Sequence, residues 1–463
     1  MCAVSVFDPE LAEIRFGYGL SGSLERPADL GAMLSGFMGP DEIAQQFPTE
    51  PFEQVLQRRA EVLEIWKERR ANPDSDPARY KERINKVRRR ARIAQTTWLT
   101  QTLARIVSTP HGLRERLVGF WADHFTAQGK TGVLRYATSP YIDDAIRPHI
   151  SGSFSTLLWS AVTHPVMIDY LDQQRSMGPN SRAARNRGAQ SGFNENLARE
   201  VLELHTLGVD GPYDQADVQQ LAALFTGLSY DARQGTRFRK TYAEPGAETV
   251  LGRVYSETGS LETIKAVLHD LATHPATAAH IARKLVVHFV SDAPDEELVD
   301  HVAARFRATD GNLLAVVSAL LEYPAAWQPG LRNAKPSFDF IASALRALPV
   351  TASALTQQTP RDQRRFFMAP LKRMGQPWQR PLGPDGWPEE DAAWITPQGL
   401  AARIAWAMDV PKRVTPTLPD PRGFVEMALG SRGSETVRFA ASAAERTSEA
   451  IGLVLVSPAF QRR

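Results

Sequence analysis

Apolar positions recur at three- and four-residue spacing through most of the chain. Residues Pro51 to Arg70, Arg79 to Val107, His111 to Ala127, Pro275 to Phe289, Pro336 to Leu348 and Ala440 to Ser457 read as helices, the 3.6-residue period of elements with one face turned to a core. In the third of these, Leu113, Leu117, Phe120, Trp121, His124 and Phe125 share a face. Tyr136 to Leu171 is again helical, punctuated by Pro140, Pro148 and Pro165. Period-two alternation occurs in one place. Arg237 to Tyr242 and Thr249 to Tyr255 flank a turn at Glu244-Pro245-Gly246, which predicts a hairpin near 236–255. The expected fold is mostly α, a helical array with one small β-hairpin. Four segments are expected. They are an N-terminal helical region (1–171), a mobile basic loop (172–192), a central helical region carrying the hairpin (193–348), and a C-terminal Trp/Pro-rich loop with helices (349–463) packed on the same body.

The densest set of chemically able side chains lies in Gly192 to Val218. Asn194 suits an N-cap and Gly208 a C′ position, so a helix is predicted between them. Projected at about 100° per residue, Leu197, Ala198, Val201, Leu204 and Leu202 fall on one side and Glu195, Asn196, Arg199, Glu200 and Glu203 on the other. His205 lies at the margin of the apolar face. Glu195–Arg199 and Arg199–Glu203 are i,i+4 pairs, so this arc reads either as salt-bridge lacing or as one wall of a cleft. Asp214 and Asp217 fit a capping box for the next helix.

Composition narrows the function classes. With 54 Lys+Arg against 52 Asp+Glu, the net charge of +2 gives no global cue for nucleic acid. The single cysteine, Cys2, excludes an intramolecular disulfide and a cysteine zinc site. No run approaches the ~20 apolar residues of a membrane span. Met1 to Asp8 lacks the basic and apolar regions of a signal peptide, so a cytoplasmic location is expected, with export alongside a partner as the alternative. The basic run Lys86 to Arg92 reads as a solvated face. Ile14 to Gly19 fails as a phosphate loop, having no following lysine-serine, and no Gly-x-Ser-x-Gly nucleophile elbow occurs. The loop Met374 to Pro388, with two tryptophans and four prolines, is too apolar to be a floppy linker and is expected to wall a pocket.

Histidines supply the sharper chemistry. His124, His205 and His288 are predicted on core-facing sides of three helices. If they meet, His124, His205, His288 and Glu203 form a candidate set for a divalent metal, since imidazole and carboxylate suit Zn²⁺, Mn²⁺ or Fe²⁺. A metal-free acid–base site is the other option, with Glu195, Arg199, Glu203, His205 and His124 as catalytic candidates. Arg199 or Arg283 could then hold an anionic substrate. No pair of these histidines has i,i+4 ligand spacing.

Several stretches carry a resemblance. Phe120 to Phe125, Asn194 to Gly208, His280 to Val290, Met374 to Pro377, Pro384 to Pro388 and Ser457 to Arg463 are similar, in order, to a large bacterial family catalogued as a domain of unknown function, number eighteen hundred. The resemblance implies no particular reaction. It does imply a partner, because genes of the family commonly lie beside a second family similar to sulfatases and alkaline phosphatases. Members often look exported, and this chain lacks an export signal. Where the family tends to have His-Glu-Pro-Gly, this chain has Ala243-Glu244-Pro245-Gly246. Two functions are therefore expected. One is a binding or scaffold subunit for a phosphatase/sulfatase-like partner; the alternative is a hydrolase-type enzyme with a buried His/Glu site acting on an anionic substrate.

Overall fold

Short polar residues start most of the helices. The Asp8 carboxylate accepts from the Glu10 and Leu11 amides ahead of helix Pro9–Arg15, and Asp76 does the same for Ala78 ahead of Pro77–Ser108. Asp214 and Asp217 close the capping box expected for Gln215–Leu224. Proline fills the first helical position at Pro9, Pro77 and Pro275, where its missing N–H costs nothing. The resulting chain, seen in a computed structural model that describes residues 7–187 and 193–463, is mostly α. Cys2 and residues 188–192 lie outside the described part. Among the described residues no helix is long and apolar enough to cross a membrane.

Packing sorts the apolar faces into two main cores. The first runs from Leu11 to Trp327 and includes Leu117, Phe120 and Trp121, Leu197 to Leu202, and Ile281 to Phe289. The expected segments 1–171 and 193–348 therefore share one interior. The second joins Leu99, Leu103 and Ile106 to Phe340–Leu348 and Phe424–Phe460. Helix Pro77–Ser108 serves this second core with its C-terminal half. Its N-terminal half makes a small core of its own, Tyr80, Ile84, Val87 and Ala91 against Ile65 of helix Phe52–Ala71.

Buried arginines stitch the two main cores together. Arg346 donates to the carbonyls of Gly19, Ile106 and Thr109 and pairs with Glu13 at 2.7 Å. Arg116 donates to the Gly17 carbonyl and pairs with Asp339. Arg346 thus satisfies three main-chain oxygens and Arg116 one, which a bare helix–helix seam would leave unpaired.

The pairing expected for the hairpin is corrected by the structure. The strand Gly235–Phe238 pairs backward with Leu228–Asp231, and Thr249–Val250 pairs with Arg253–Val254 in a separate two-stranded unit. The turn at Asp231 decides this. Its carboxylate accepts from the Arg233 and Gln234 amides, and Gly235 takes φ +76°, so a tight reversal forms before the chain reaches Glu244. Of the expected basic loop, residues 172–187 are described and 188–192 lie outside the described residues. The described part contains turns at Gln173–Arg175 and helix Arg182–Arg187, and the Gly178 and Ala183 amides donate to the Tyr242 and Thr241 carbonyls. Glu244, in the Ala-Glu-Pro-Gly turn, accepts from the Asn180 amide and fastens that segment.

Candidate active site

Helix Gly112–His124 turns Arg116, Phe120 and Asp123 toward a cavity of about 170 Å³. These positions stand at i, i+4 and i+7, one stripe of the helix. The opposite wall is the Trp/Pro-rich loop, which contributes Gln376, Trp378, Gln379, Trp387 and Glu389. Its polar pins explain why so irregular a segment holds one shape. Gln376 accepts from the Phe338 amide, Gln379 accepts from the Ser139 hydroxyl, and Gln128 donates to the Pro381 carbonyl. Trp394 Nε1 donates to the Pro388 carbonyl.

Asp123 is the hinge of this arrangement. Both its oxygens accept from the Trp387 amide, at 3.0 and 3.2 Å. Gly386 makes this approach possible. It takes φ +85°, and a Cβ there would stand 2.8 Å from the carboxylate. Burial, and then the nearby charge of Glu389, push the Asp123 carboxyl up to about 8, so it carries its proton at neutral pH.

Glu389 goes the other way. Burial alone would raise it, but His288 and Arg463 hold its carboxyl below the usual range. His288 Nδ1 lies 2.9 Å from Glu389 Oε1, and its Nε2 faces Arg463 Nη1 at 3.3 Å. Arg463 is in turn 3.4 Å from Asp339, which pairs with Arg116. The result is a continuous line of partners from Glu389 through the imidazole to the two-core seam. The other guanidiniums on the cavity are also matched: Arg105 pairs bidentately with Asp143, and Arg147 with Glu115 and Asp41.

Residues 13–462 match the family described as protein of unknown function (DUF1800). The chain belongs to that family. No curated protein and no solved structure matches it. Four of the stretches that carry the DUF1800 resemblance supply cavity residues: Asp123, His288, Gln376 and Trp387; a fifth supplies Arg463 behind His288.

The residues singled out from the sequence divide into three places. Glu195, Arg199 and Glu203 form a partly exposed comb, with Arg199 at 3.2 Å from Glu195 and 3.1 Å from Glu203, and Gln215 joining it. His205 turns the other way, fully buried. The helix begins at Asn196 and changes at Val201 to a π-turn through Thr206, where the Leu207 amide donates back to Leu202. The wider turn rotates the following side chains, which carries His205 off the margin and into the core. There it meets His124, ring centroids 6.0 Å apart, and His280 stands 6.3 Å from His124. Burial, then the charge of Lys284, hold His205 down at about 3 and His280 at about 4, so both rings are neutral. His124 lies on the backbone carbonyl of His205 and His280 on that of Leu204.

His288 does not join them; Phe120 stands between, 5.1 Å from His288 and 6.3 Å from His124. The proposed metal set of His124, His205, His288 and Glu203 is therefore not assembled, and among the described residues no group of three or more His, Cys, Asp or Glu is arranged to hold an ion. Glu200 is the carboxylate of the central stretch with a shifted pKa, raised to about 7 by burial and by Glu203 and Asp385. Sequence reasoning passed over Asp123, Glu389, Asp339 and Arg463. Asp123 had a visible signal: a carboxylate enclosed in Phe120-Trp121-Ala122-Asp123-His124-Phe125, with no neighbouring cation in the sequence to pair it.

Proposed function

We propose that the cavity is the acid–base site of a hydrolase-type enzyme. Asp123, protonated, gives its proton to the departing oxygen or nitrogen as the scissile bond breaks. Glu389, ionised, takes a proton from the attacking water, whose oxygen forms the new bond. The proton gained by Glu389 and lost by Asp123 balance through solvent before the next cycle. The observation that carries this reading is a pair of carboxylates on one cavity, with opposite displacement of their proton affinities, the pattern that separates a general acid from a general base. His288 and Arg463 act as positioning residues for Glu389. The test is a pH–rate profile on a panel of hydrolysable substrates. Activity should hold between the depressed Glu389 limb and a basic limb near pH 8, and Asp123→Asn should remove the basic limb together with most of the rate. Turnover that survives unchanged in both Asp123→Asn and Glu389→Gln would falsify it.

Docking on a phosphatase/sulfatase-like partner is the second reading. It is favoured by Ile404, Phe439 and Leu453, exposed apolar residues on three helices that pack side by side, Pro397–Asp409, Glu435–Ala443 and Thr447–Val456. Co-elution of the purified chain with the recombinant neighbour-encoded protein, lost in Phe439→Asp, would support it; separate elution would remove it.

A further inference from the structure

We infer that the cavity takes a neutral polyhydroxylated ligand, a carbohydrate unit, rather than an anion. This names the substrate class of the proposed acid–base site and, for turnover, rests on that reading. Three independent features of the cavity lead to it.

The first is charge. A phosphate, sulfate or carboxylate ligand needs a cation that is not already engaged. The cavity guanidiniums of Arg105, Arg116 and Arg147 each hold carboxylates of the protein. An anion would have to displace those partners and then sit beside Glu389 and Asp123. The walls therefore favour a ligand without charge.

The second is shape and polarity. Trp378 and Trp387 both line the space. Each indole is backed by another ring, Phe338 at 4.9 Å from Trp378 and Trp394 at 6.1 Å from Trp387. Rigid flat surfaces of this kind bury the C–H faces of a saturated ring at low entropic cost.

The third is the hydrogen-bonding edge. Gln128, Gln376 and Gln379 also line the cavity, and each spends one end of its amide on the protein. What is left is the Gln128 oxygen and the Gln376 and Gln379 nitrogens, one acceptor group and two donor groups. A hydroxyl is donor and acceptor at once and can satisfy such a mixed set, whereas a hydrocarbon would leave it unpaired. Gln379 is held at φ +52°, a costly backbone state for a side-chain-bearing residue, and it is held there on the cavity wall. The space suits one small unit rather than a drug-sized molecule.

The experiment is binding, read by tryptophan fluorescence and ligand-observed NMR on the full chain. The probes are neutral methyl glycosides and disaccharides, with phenyl phosphate and phenyl sulfate as anionic controls. At least one glycoside should bind saturably and the anions should not. Trp387→Ala should weaken that glycoside about tenfold or more, the order expected for losing one stacked aromatic surface, and Trp387→Phe should recover most of it. Asp123→Asn should still bind. Saturable binding of the anions alone, or of no glycoside at all, overturns the inference. Its failure is separable from that of the acid–base reading. Glycoside binding without turnover at any pH removes the acid–base reading and keeps the ligand class. Turnover of a non-saccharide ester, lost in Asp123→Asn, with no glycoside bound, does the reverse.

Discussion

The comb Glu195–Arg199–Glu203 and the cavity pair Asp123–Glu389 use the same side-chain chemistry to opposite ends. In the comb each carboxylate stands one helical turn from a shared guanidinium, partly in water. Solvent screens such pairs, and their worth is small. In the cavity the difference lies in the partners rather than in exposure, since the Glu389 side chain is 26% exposed against 29% and 25% for Glu195 and Glu203. Among the described residues Asp123 has only the Trp387 amide as a hydrogen-bonding neighbour, and Glu389 leans on an imidazole and an arginine from distant parts of the chain. In the proposed mechanism it is the choice of partners that sets the second pair apart: a carboxyl without a cationic partner shifts upward beside a neighbouring charge, and one held by an imidazole and a guanidinium shifts downward.

That contrast can be broken most sharply by paired substitutions. Asp123→Asn and Glu389→Gln should each lower turnover by roughly 10²- to 10⁴-fold, the usual worth of a positioned acid or base. Glu195→Gln and Glu203→Gln should leave it within about twofold, since surface changes of this kind seldom exceed ~0.5 kcal/mol. Comparable losses on both sides would erase the distinction. Stability should divide the same way. Asp339→Ala leaves Arg116 and Arg463 buried without their carboxylate and should cost about 3–5 kcal/mol in denaturant unfolding, whereas Arg199→Ala should cost less than ~1 kcal/mol. Gly386→Ala should cost about 1–3 kcal/mol through its left-handed backbone and should also lower the rate, because the new methyl lies against Asp123.

The pH dependence of stability gives a smaller but signed effect. Asp123 has its affinity for protons raised by folding, so its contribution is full below pH 3.8 and is lost as pH rises toward about 8. Asp123→Asn should remove that decline. His205 and His280 are displaced downward. Their contribution is full above pH 6.5 and is lost as pH falls toward about 3 and 4. Melting curves of His205→Phe and Asp123→Asn across pH 4–9 check both signs; flat differences would contradict the burial assigned to these groups.

Much of the helical architecture was legible, because caps such as Asp214 and periodic faces such as Leu113–Phe125 act locally. The salt-bridge lacing of Arg199 was legible for the same reason. Membership in the DUF1800 family could be read from its motifs. The orientation of His205 was not, since a π-turn breaks the 100° projection without leaving a mark in composition. The hairpin register went to the tighter turn at Asp231, which competes with the Glu244 turn only once Leu228 is seen as a strand. One wall of the cavity was legible in the Trp/Pro-rich loop, but its ionisable groups stayed hidden for a different reason. Asp123, His288, Glu389 and Arg463 are far apart in the chain, and no spacing rule brings together groups that meet only through tertiary packing.

The most direct measurement is the protonation state of Asp123 itself, by infrared difference spectroscopy of the wild type against Asp123→Asn. A neutral carboxyl band, present at pH 6–7 and disappearing near pH 8, is the predicted result. A carboxylate band already complete at pH 5 would contradict the assignment of Asp123 as the proton donor of this cavity.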